Sequence, residues 1–185
     1  MTIESVPENA TLDQLRRSIN WQVGFPDYVF AESASQGFFV IDEGVFTSRG
    51  FLDFMLSLKA EVPLITLVRL HGQPAQDLFF TTSDANEIAD LRVHLAQGPL
   101  DLFGSKVVVS SASMEWIAYE EANEGFAVLA VFDEQTWKYL SSVESGVWDY
   151  ATSAEQVATK LLDDKWHGWE PDFLRQILNS YRRKI

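Results

Sequence analysis

The chain carries three histidines, His71, His94 and His167, and no cysteine. Without a thiol there is neither a cysteine nucleophile nor a thiolate metal site. No histidine has a second histidine three or four residues away, so the helical metal-binding pair is missing. One stretch joins a histidine to carboxylates: Asp163-Asp164-Lys165-Trp166-His167-Gly168-Trp169-Glu170. Those residue types can serve general acid–base chemistry or a carboxylate metal loop. The same stretch also reads as helix punctuation, with a glycine stop, two packing tryptophans and the acidic start of the next helix. Punctuation accounts for nearly every residue, so an uncharacterised hydrolase with a site near His167 stands only as an alternative.

Other catalytic signatures fail on spacing. The ten glycines are scattered and form no phosphate-cradling loop. Ser142-Val143-Glu144-Ser145-Gly146 is the nearest approach to a nucleophile elbow, but it lacks the first glycine and no strand precedes it. Paired carboxylates of the glycosidase kind depend on distance in space, which spacing along the chain does not reveal. The sequence therefore calls for no catalytic residue, no metal and no cofactor.

Charge is less evenly spread. The 185 residues include 27 acids and 14 bases, a net charge of −13. Between Glu115 and Asp149 lie eight acids against one base, Lys138, together with Trp116, Trp137, Trp148, Tyr119 and Tyr139. Carboxylates steer and pair with lysine and arginine, and aromatic anchors supply burial at an interface. This pattern points to a partner-binding face built from Glu120, Glu121, Glu124, Glu144 and Asp149, with Trp148 as its aromatic anchor. Local structure competes for some of the same residues: Asp133 and Glu134 suit a helix start, and Trp116 and Trp137 suit core positions. The corresponding expectation is an acidic module that inhibits or regulates a basic protein, such as a bacterial immunity or antitoxin-type protein. A polyanion mimic occupying a nucleic-acid site is a second alternative, and it requires acids in rows spaced like phosphates. The negative charge argues against direct contact with nucleic acid or anionic membranes. The acidic N-terminus lacks the features of a signal peptide and no apolar run is long enough to span a bilayer, so a cytoplasmic location is expected.

Hydrophobic residues make up 46% of the chain, enough for a substantial core. Periodicity predicts helices over Thr11–Ile19, Ser48–Ala60, the stretch from Ser83 to Ala96, Glu134–Val143, the stretch after Thr152 or Ser153, and the stretch from Glu170-Pro171. Strands are predicted at Gly37–Ile41, Leu64–Leu70, Leu78–Thr82, Lys106–Ser110, Ser113–Glu120 and Phe126–Phe132. The last of these is apolar on both faces and is expected in the middle of a sheet. Residues Val143–Ser153 look like a long exposed loop. The order shows no regular βα alternation and no repeat. The expected architecture is a single α+β domain over residues 1–185, with an antiparallel or mixed sheet of about five or six strands packed against several helices.

Overall fold

The computed structural model describes residues 10–31, 35–41, 49–58, 63–71, 77–82, 84, 86–87, 90, 93, 104–122, 125, 127–143, 151–153 and 170–181. Among these residues the elements run in the order α1 (Ala10–Arg17), β1 (Gly37–Ile41), α2 (Arg49–Leu58), β2 (Leu64–Arg69), β3 (Asp77–Thr82), β4 (Lys106–Ser111), β5 (Trp116–Glu121), β6 (Ala127–Val131), α3 (Glu134–Ser142), β7 (Ala151–Ser153) and α4 (Pro171–Tyr181). The fold is α+β, as expected. The strands form one sheet in the order β3-β2-β4-β5-β6-β1-β7, and every neighbouring pair is antiparallel.

Strand composition explains why the sheet is covered on both sides. Residues 127–131, Ala-Val-Leu-Ala-Val, are buried at every position, and β6 lies between β5 and β1 as its two apolar faces require. On one face Phe39, Leu64, Val109, Trp116 and Leu129 pack against Phe51, Leu52 and Met55 of α2 and Leu140 of α3. On the other, Val40, Leu67, Ile117 and Val128 pack against Leu12 and Leu15 of α1 and Ile177 and Tyr181 of α4. Alternation along each strand sends successive side chains into these two cores.

The hairpin of β5 and β6 is the center of the sheet and positions the acid-rich segment. Trp116 pairs with Val131 at one end and Glu120 with Ala127 at the other. Gly125 in the connecting turn has φ +76°, a backbone state that favours glycine. At the open end, the N–H groups of Phe132 and Asp133 both donate to the Glu115 carbonyl, at 2.8 and 3.2 Å. Asp133 then caps α3, accepting the Thr136 N–H at 2.7 Å, which satisfies one of the free donors of the first turn. Trp137 of α3 lies against Phe39, with ring centres 4.9 Å apart. Its ring also sits directly over Gly37, where a Cβ would come within 2.7 and 2.8 Å of two ring carbons.

Several boundaries differ from the expectation. Helix α1 starts at Ala10, one residue before the expected Thr11. Ile19 is beyond the helix, in a bridge to Phe30. Strand β5 starts at Trp116, not Ser113, because residues 112–114 turn and Met114 has φ 58°. Thr152 and Ser153 pair with Val40 and Phe39 in a seventh strand, where a helix cap at the end of a loop was expected. The two readings of Thr and Ser compete locally, and an available sheet edge at β1 decides for the strand. The helix expected between Ser83 and Ala96, and the one after Ser153, lie largely or wholly outside the described residues.

Candidate functional site, an acidic cleft between two helices

The acid-rich segment divides into two groups, because the β5–β6 hairpin separates them. Glu115 and Asp133 are at its open end, whereas Glu120 and Glu121 are at its turn end. Glu115 and Glu120 are five residue steps apart along extended chain, about 17 Å at roughly 3.3 Å per residue.

The turn end is occupied by an internal polar clamp. Glu121 Oε1 accepts from the Tyr119 hydroxyl at 2.9 Å and from the Phe25 N–H at 3.0 Å. Lys106, paired with Glu121 across the strands, donates its Nζ to the Trp21 carbonyl at 3.0 Å and to the Val23 carbonyl. Burial lowers the pKa of the Lys106 amine, the Glu121 carboxylate opposes that shift, and the Arg69 guanidinium adds to it. Arg69 forms a two-pronged pair with Asp77 at 2.9 and 3.0 Å, and Arg16 adds a third bond to Asp77 at 3.1 Å. The Arg69 guanidinium lies 3.9 Å above the Trp21 ring centre, a cation–π contact. Together these groups hold the 20–30 loop onto the ends of β2, β4 and β5.

This placement bears on the partner-binding face expected from the sequence. Glu120 is only 4% exposed, and it has an interaction of its own. Glu121 is half-buried with both donors in place. A partner drawing on these two carboxylates would first have to break internal contacts. Glu124, Glu144, Trp148 and Asp149 lie outside the described residues, as does His167 of the alternative hydrolase site.

The open end forms a cleft of about 270 Å³ between α2 and α3. Its apolar lining comes from Met55 and Leu58 of α2, Leu64 of β2 and Trp116 of β5. Glu115, Asp133, Gln135 and Thr136 supply polar groups, and Tyr139 completes one wall. Trp116 is 2% exposed and serves as floor, whereas Tyr139 is 52% exposed. The Tyr139 ring is nearly parallel to that of Phe54, at 16° and 6.4 Å between centres. Among the described residues no lysine, arginine or histidine lines the cleft. Lys138, the single base of the acid-rich segment, is bonded to Glu134 at 2.6 Å on the exposed side of α3. No family model, curated protein or solved structure matches this chain.

Chemically the cleft offers apolar surface beside the polar groups of Glu115, Asp133, Gln135 and Thr136. Among the described residues no three histidine or carboxylate side chains gather as a metal site would require. His71 is exposed; its N–H donates to Ser105 Oγ at 3.2 Å, and it lies at the far end of β2 from the cleft residue Leu64. Among the described residues no helix is long and apolar enough to cross a membrane.

The cleft was only partly legible in the sequence. Glu115, Asp133 and Tyr139 belong to the acid-rich segment, but their joining to Met55 and Leu58 depends on two helices packing on one face of the sheet. The available signal was Tyr139, a large aromatic beside the inward-facing Trp137 and Leu140 of α3.

Proposed function

We propose that this chain is an acidic protein-binding module that inhibits or regulates a basic partner, in the manner of a bacterial immunity or antitoxin-type protein. The observation that carries the reading is the α2–α3 cleft, where a half-exposed tyrosine and two carboxylates surround an apolar floor. An exposed aromatic beside a desolvated apolar patch is the usual composition of an interface hot spot. The net charge of −13 gives the molecule a field that accelerates the approach of a basic protein. The reading needs no turnover: such a module acts by covering its partner's working surface.

A photo-crosslinking residue placed at Tyr139, with a control at the exposed Gln176 on α4, tests this reading in native lysate. The expected result is a basic protein joined at Tyr139 but not at Gln176, and lost when Glu115→Lys is added. Identical products from both positions, or capture unaffected by Glu115→Lys, would contradict it.

A further inference from the structure

We infer that residues 21–28 form a lid that opens on a neck made by Ile19 and Phe30, with Lys106 and Glu121 as its latch. The lid controls whether the Glu121 carboxylate is available outside the molecule. This device lies at the turn end of the β5–β6 hairpin and is independent of the cleft.

Burial draws the line between neck and lid. Ser18, Ile19, Val29 and Phe30 are all buried. Ile19 and Phe30 are bridge partners. Beside them the Asn20 N–H donates to the Val29 carbonyl at 2.6 Å, and the Ala31 N–H to the Ser18 carbonyl at 2.8 Å. Every residue from Trp21 to Tyr28 is instead half-buried or exposed. A surface loop of this length with its ends joined is of the Ω type, a frequent seat of function. The body can therefore leave the sheet while the neck stays paired.

Side chains fasten the body. Glu121 accepts the Phe25 N–H at 3.0 Å, and Lys106 donates to the Trp21 carbonyl at 3.0 Å and to the Val23 carbonyl. The Tyr181 hydroxyl donates to the Asp27 carbonyl, and the Arg69 guanidinium covers the Trp21 ring. Breaking these contacts leaves the strand ladders intact, and regions held in this way open at lower free energy than core strands. Lys106 and Glu121 also face each other across β4 and β5, where opposite charges can pair directly. Release of the lid thus exchanges their bonds to the loop for an ion pair. The latch keeps the Phe25 ring edge-on to Tyr119, with centres 5.0 Å apart. Gly24 is part of the closure, because a Cβ there would strike the Glu121 carboxylate.

Native-state hydrogen exchange of the whole chain tests the lid. The Phe25 amide and the Trp21 indole N–H, which donates to the Arg16 carbonyl at 2.8 Å, report the body. The Asn20 and Ala31 amides report the neck, and the Tyr119 and Leu129 amides the sheet. The two body protons are expected to share one protection factor, at least about tenfold below those of neck and sheet, as for a local opening unit. Lys106→Met and, separately, Gly24→Ala should each lower body protection by roughly a further tenfold, the loss expected for a hydrogen bond to a charged group. Neck and sheet should stay unchanged. Coupling of Glu121 to glycinamide by a carbodiimide, read by mass spectrometry, should quicken in parallel. Body protection equal to that of the sheet, separate opening of Phe25 and Trp21, or body protection unchanged in either folded variant would overturn the lid. Faster exchange with unchanged Glu121 coupling would overturn its control of the carboxylate. Should one variant fail to fold, the wild-type comparison and the other variant decide.

Discussion

Single side chains in this protein show where polar chemistry is used and where it is idle. Asp77, Glu121 and Lys106 are each bonded to two groups at the turn end of the sheet. Thr66 is the opposite case. It is fully buried in β2, facing the α2 side of the sheet between Leu64 and Val68, and among the described residues its hydroxyl is the buried side-chain polar atom without a hydrogen-bond partner. Burying an unbonded hydroxyl costs about 1–3 kcal/mol. Thr66→Val keeps the branched shape and removes that cost, so it should raise unfolding stability by about 1 kcal/mol in urea titration. A loss of stability of similar size would show that the hydroxyl is bonded after all.

At the scale of elements, the Tyr181 side chain adds polar bonds to the apolar packing of α4. The Tyr181 hydroxyl donates to the Asp27 carbonyl at 2.8 Å and accepts the Val29 N–H at 3.2 Å, tying the helix to the 20–30 loop. Its ring lies in an aromatic group with Phe25, Tyr28, Phe30 and Phe38. Tyr181→Phe should keep the ring packing but leave a buried N–H unpaired, at a cost of about 1–3 kcal/mol. Faster hydrogen exchange of the Val29 amide should accompany the loss, and unchanged exchange would count against this role. The helix itself was legible, since Leu174, Ile177 and Tyr181 recur at helical spacing and Pro171 suits a first position. Its anchor was not, because residues 27 and 181 are far apart in the chain. Strand positions were also readable from apolar runs, but their order was not. Strands such as β6, apolar on both faces, carry no alternation that would mark a neighbour, so nothing local announces that β1 lies beside β6 or that β2 lies beside β4. The same limit applies to the cleft, which needs Leu58 and Tyr139 on one side of the sheet.

For the whole molecule, buried tyrosines set the response to alkaline pH. Burial, joined by the nearby Glu121 carboxylate, pushes the Tyr119 phenol well above its ordinary range. Burial does the same to Tyr181, against a smaller opposing effect of the Val29 hydrogen bond. Up to about pH 10 the folded and unfolded chains both keep these protons. Above that, the unfolded chain releases protons that the folded chain retains, so stability falls by up to about 1.4 kcal/mol per pH unit for each tyrosine. Lys106 has the opposite sign: its lowered pKa makes stability rise with pH just below the ordinary lysine range. One lysine is outweighed by two tyrosines, and denaturation midpoints should fall from about pH 10 upward. Adding Tyr119→Phe and Tyr181→Phe together should flatten that fall, and an unchanged slope would contradict the assignment.

Charge also acts over the whole molecule, and here the partner-binding proposal is most exposed to test. Association with the basic partner recovered through Tyr139 can be followed by stopped flow over a salt series. The Debye length shrinks from roughly 10 Å at 0.1 M to about 3 Å at 1 M, so association of the wild-type chain should slow steeply. Glu115→Lys should lower the on-rate, and Tyr139→Ala should chiefly raise the off-rate, about 30-fold for a hot spot of about 2 kcal/mol. Association independent of salt, with affinity unchanged in both variants, would contradict the assignment of the α2–α3 cleft as the binding site.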